Sequence, residues 1–77
     1  MNINIENFNT GWFGLFIGLK EKDIDKLISN LNWLKENKGN KTKNHFHFRS
    51  NYDGKSGVGD VEFYLEDDTV SDNMKFG

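Results

Sequence analysis

Cysteine is absent from this 77-residue chain, so neither a disulfide nor a thiolate-based metal site can staple its fold. Secreted mini-proteins of this size are usually cysteine-dense, which favours a cytoplasmic setting. Long apolar runs are lacking too. The longest, Trp12 to Leu19, is broken by Gly14 and Gly18 and is far too short to span a bilayer, so no membrane contact is expected. Met1-Asn2-Ile3-Asn4-Ile5-Glu6 has neither the basic start nor the apolar run of a signal peptide, and none is expected. There is no internal repeat and no low-complexity tract. The length allows one domain over residues 1–77 with one small core, stabilised by about 3–5 kcal/mol. Oligomerisation or partner binding is the remaining route to more burial.

Charge is small in sum and uneven in place. The formal net charge of −2 argues against a general nucleic-acid binder. Residues 20–59 carry nine basic and five acidic groups, whereas residues 60–77 carry six acids against Lys75 alone. Lys35, Lys38, Lys41 and Lys43 cluster ahead of the histidines. Both patches read either as solvated surface or, for the acidic end, as a face toward a basic partner.

What the chain does have is periodicity. His45-Phe46-His47-Phe48-Arg49 and Val61-Glu62-Phe63-Tyr64-Leu65-Glu66 alternate with a period of two around a glycine-rich loop, the pattern of half-buried strands. Phe46, Phe48, Val61, Phe63 and Leu65 share the core face. His45, His47, Arg49, Glu62, Tyr64 and Glu66 share the other. Upstream, Met1, Ile3 and Ile5 mark a first strand, and Trp12 to Leu19 marks a second. In the second, Phe13, Leu15, Ile17 and Leu19 lie on one face, opposite Trp12 and Phe16. Ile24, Leu27, Ile28, Leu31 and Leu34 recur at helical spacing and predict a helix over Glu21–Lys38, which Gly39 ends. Residues 67–77 read as an acidic, mainly irregular tail, with an edge strand at Met74–Phe76 as an alternative.

The order β-β-α-β-β predicts an α+β fold: a four-stranded mixed sheet with the helix packed on one face. A right-handed crossover would leave the second and third strands parallel. The open face would then hold Trp12, Phe16 and Tyr64 beside His45, His47, Arg49, Glu62 and Glu66, an aromatic and arginine composition typical of binding hot spots.

Four chemical motifs are weighed against that reading. His45, His47 and Glu62 across a hairpin would make a two-histidine, one-carboxylate metal site. His-x-His pairs on strands are more often plain surface residues, so no metal is expected, and no other cofactor. Acid–base catalysis by these histidines needs a pocket and an orienting carboxylate that nothing in the sequence announces, so no enzyme is expected. Gly54-Lys55-Ser56 resembles the end of a phosphate loop, but Arg49 stands where its upstream glycine belongs. A four-stranded aromatic platform for single-stranded RNA is disfavoured because Glu62 and Glu66 repel phosphate.

One helix of the Ile24-to-Leu34 type, followed by His45-Phe46-His47-Phe48 and Gly59-Asp60-Val61-Glu62-Phe63-Tyr64-Leu65, resembles the small immunity proteins of bacterial polymorphic toxin systems, in particular the immunity protein 32 group. The likeness covers roughly Trp12 to Leu65. Phe48 departs from the aliphatic residue of that pattern, and Gly57-Val58-Gly59 matches it loosely. The resemblance implies a cytoplasmic, non-enzymatic inhibitor that blocks a cognate toxin. Its partner-binding residues would be Trp12, Phe16 and Tyr64 as anchors with Glu62, Glu66, Asp67 and Asp68 as steering acids, and His45 and His47 beside them. Two alternatives stand: a phage- or plasmid-encoded inhibitor of a host protein, and a self-assembling homodimer that uses the same aromatic face.

Overall fold

Turn chemistry starts the first hairpin. Asn9 and Gly11 both take positive φ, 59° and 93°, and the Asn7 side chain accepts from the Asn9 amide at 2.9 Å. This folds strand β1 (Asn2–Asn7) back onto strand β2 (Phe13–Gly18) in antiparallel register, with Ile3 opposite Ile17 and Ile5 opposite Leu15. In the computed structural model, which describes residues 1–77, helix α1 (Glu21–Glu36) follows, then strands β3 (His45–Arg49) and β4 (Asp60–Tyr64). The element order is the expected ββαββ, and the fold is α+β.

Local signals explain the helix ends. Asp23 accepts from the Lys20 amide at 3.0 Å, while the Lys20 carbonyl accepts from the amides of Asp23 and Ile24. An aspartate at the third helical position thus does the capping that no serine or threonine supplies. At the other end Asn37 donates to the Trp33 carbonyl from both its side chain and its backbone, and Gly39 (φ 85°) turns the chain away. The helix therefore stops two residues before Lys38.

The four strands do not form one mixed sheet. They make two separate antiparallel pairs, β1–β2 and β3–β4, and β2 does not hydrogen-bond to β3. The cause lies on the helix. Its inward line holds Leu27, Trp33 and Leu34, but also Asp23, Asn30 and Asn37. A line that is half polar has too little apolar area to draw both hairpins into one layer. Residues 74–76 form no strand.

Burial is correspondingly sparse. Leu34, 5% exposed, is the one buried residue. Phe46, Phe48, Val61 and Phe63 are half-buried on the expected face of β3–β4, where the Phe46 and Phe63 rings stack at 5.1 Å. Phe13, Leu15, Ile17, Ile24, Ile28, Leu31 and Leu65, expected in the core, are exposed. The accessible surface is 7184 Å², against about 4,800 Å² for a folded monomer of this mass. The radius of gyration is 14.7 Å where about 11.5 Å is usual for this length. There are 31 backbone hydrogen bonds instead of about 50, because both hairpins keep free outer edges.

Candidate functional site

The register of β3–β4 assembles the polar face. His45 lies opposite Tyr64, His47 opposite Glu62 and Arg49 opposite Asp60, all on the side away from the phenylalanines. Beyond the strands, Ser50 donates to Gly59 and Leu65 to Asn44, which extends the ladder at both ends. The loop between them turns through Tyr52 (φ 58°) and Gly57 (φ 116°). Gly59 lacks a Cβ where one would sit 2.9 Å from the Tyr52 ring, so the ring folds over it.

His47 is the hub of this face. Its Nδ1 lies 3.0 and 3.1 Å from the two carboxylate oxygens of Asp60, and its Nε2 lies 3.2 Å from Glu62 Oε1. Arg49 Nε donates to the same Asp60 at 3.3 Å. The His45 ring meets the His47 ring edge-on at 5.1 Å, and its Nδ1 lies 2.8 Å from the Asn44 side-chain oxygen. One donor atom from each of His45, His47 and Glu62 falls within 4.8 Å of the others. An open cleft of about 540 Å³ runs past His47, Arg49 and Asp60 toward Lys26 and Asn30 of α1.

The remaining candidates are dispersed. Tyr64 donates to Glu66 Oε2 at 3.2 Å, and the Glu66 charge raises the Tyr64 hydroxyl above its usual range. Asp67 accepts from the Thr69 hydroxyl at 2.6 Å and the Thr69 amide at 2.8 Å. Its carboxylate is thus committed to a local turn. Glu66 and Asp68 line a shallow groove opposite Lys35 and Lys38. Trp12 and Phe16 belong to the other hairpin and are not brought beside Tyr64 or Glu62 by strand pairing. Trp12, 75% exposed, stands at the turn, where its carbonyl accepts from the Phe8 amide. The space above Gly14 is filled by the rings of Phe8 and Phe16. The single aromatic platform of the sequence reading is therefore two surfaces.

Two residues of the polar face escape a reading of the sequence. Asp60 is adjacent to His47 only through the register, which places it diagonally across the hairpin. Asn44 gave a weaker signal, as the polar residue just before the strand.

Acid titration reports on this geometry. Thr69 holds the Asp67 carboxyl below its usual range, and the Met1 amino group, followed by the Lys20 amide, does the same for Asp23. Carboxyls lowered by folding contribute stability that is present above their unfolded value and lost as pH falls through the folded one. Denaturant midpoints should therefore drop below about pH 4. In an NMR titration, Thr69→Val should move the Asp67 midpoint upward and leave Asp23 unchanged; an unmoved Asp67 would refute the Thr69 hydroxyl bond as the cause.

No helix is long and apolar enough to cross a membrane. Comparison with protein-family models, with curated proteins and with solved structures finds no match for the chain.

Proposed function

We propose that this chain is a non-enzymatic binding protein that acts by covering the surface of another protein. The observation that carries this reading is the accessible surface, roughly 2,400 Å² beyond that of a folded monomer of this mass. A chain so open gains stability by association. In keeping with the immunity-protein resemblance, its partner is a basic, cognate toxin of the bacterial cytoplasm. Glu62, Glu66 and Asp68 supply steering charge, and Tyr64 and Trp12 supply aromatic anchors. A phage- or plasmid-encoded inhibitor of a host protein would use the same chemistry. Co-purification with the product of the adjacent gene tests the reading. Glu62→Lys with Glu66→Lys should slow association about tenfold at low salt and have little effect at high salt. An unchanged rate at low salt would remove the acidic face from the interface.

A second reading, self-assembly, rests on a different observation. Ile3, Ile5, Phe13, Leu15 and Ile17 make one uncharged face of β1–β2, and Ile24, Ile28 and Leu31 make an uncharged stripe on α1. Apart from half-buried Ile3, all of these residues are exposed. We assign a second copy of the chain to this surface. Identical apolar faces meet across a two-fold axis without repulsion, whereas the acidic hairpin would repel its own copy. The two readings use different surfaces and hold together.

A further inference from the structure

We propose that His45, His47 and Glu62 bind a divalent transition-metal ion of the zinc class, which clamps β3 to β4 and leaves a fourth position open. This departs from the expectation from the sequence that the histidines are plain surface residues, and it is independent of the toxin reading.

The rings are already oriented for a metal. Ligating histidines characteristically donate the ring N–H that does not face the metal to a carboxylate or carbonyl oxygen, which fixes tautomer and direction. Both histidines have that partner. His47 Nδ1 is held by Asp60, and His45 Nδ1 by the Asn44 side-chain oxygen. Each ring then offers its Nε2 lone pair. Asp60 itself is turned toward Arg49 as well as His47, which suits a positioning residue better than a ligand.

Glu62 brings a third donor. Its Oε1 lies 3.2 Å from His47 Nε2, the ring nitrogen that Asp60 does not hold, and a bound cation would take both as ligands.

Distances agree. Tetrahedral zinc with bonds of about 2.0–2.1 Å sets its donors about 3.4 Å apart. His47 and Glu62 are already at 3.2 Å, and all three donors lie within 4.8 Å of one another. The widest separation, 4.8 Å, exceeds that spacing, so side-chain rotation would close the set on one ion. Two imidazoles with one carboxylate suit zinc and its neighbours and disfavour calcium or magnesium, which prefer all-oxygen sites. For a chain with no disulfide and one buried residue, a metal clamp is also the staple that its size calls for.

The test is calorimetric titration of the untagged full chain with zinc chloride, alongside thermal unfolding. One ion should bind per chain, and the unfolding midpoint should rise with zinc concentration. His45→Ala with His47→Ala should abolish binding, and Glu62→Gln should weaken it. Asp60→Asn, which touches no metal, should weaken it about 10–100-fold, as loss of a positioning partner does. These side chains lie on the solvent side of the hairpin, and circular dichroism would show that each variant is folded. Absence of zinc binding, binding retained in the double histidine variant, or calcium binding of equal strength would each overturn the site.

Discussion

Leu15→Arg should turn a dimer of the 8.9 kDa chain into a monomer. Leu15 sits at the centre of the apolar face of β1–β2, opposite Ile5 and between Phe13 and Ile17 on its own strand. It is 55% exposed in the isolated chain, so the substitution has no monomer core to disrupt. In the proposed dimer the same position is covered by the copy. A guanidinium there, without a carboxylate to meet it, costs about 3–5 kcal/mol. The two-fold axis applies that cost twice, so dissociation should strengthen by well over about 1000-fold. Sedimentation equilibrium at tens of micromolar reads the outcome. Ile28→Lys, on the helix stripe, provides a second probe that leaves the hairpin intact. A wild-type chain that is monomeric at that concentration, or a Leu15→Arg chain that stays dimeric, would remove the second copy from this face.

Phe63→Ala should abolish cooperative unfolding. Phe63 stacks on Phe46 at 5.1 Å and meets the edge of Phe48 at 5.9 Å, which makes it the centre of the β3–β4 phenylalanine cluster. Deleting a fully buried Phe costs about 3–5 kcal/mol. This ring is only half-buried, so about 2–3 kcal/mol is the appropriate figure. That is still most of the 3–5 kcal/mol such a small domain commands. A urea titration followed by circular dichroism should show a broad, early transition in place of a sigmoid, and Phe63→Leu should recover part of it. If Phe63→Ala unfolds with the wild-type midpoint, the cluster does not hold the hairpin.

Together these two experiments separate what holds β3–β4 internally from what covers β1–β2 externally. A dimer also makes apparent stability depend on protein concentration, so both series belong at matched concentrations.

Periodicity alone was enough to place the strands and, in β3–β4, their faces. In His45–Arg49 and Asp60–Tyr64, every second side chain must leave the same side of a pleated backbone, whatever surrounds it. The helix through Ile24 to Leu34 and its stop near Gly39 were legible for the same reason: helical spacing and left-handed glycine are local properties. Association between elements was not legible. Whether β2 pairs with β3 depends on how much apolar area α1 turns inward, and Asp23, Asn30 and Asn37 on that line are visible only once the helix has a rotation in space. The His45–His47–Glu62 cluster illustrates the same boundary. The sequence places two histidines on one strand face and allows Glu62 to lie across from them. It does not place Asp60 against His47, because that contact joins residues thirteen apart and exists only when the hairpin register is set. Local rules thus decided which atoms face the same way, and the tertiary structure decided which of them meet, because non-local contacts depend on register and packing that no short stretch of chain encodes.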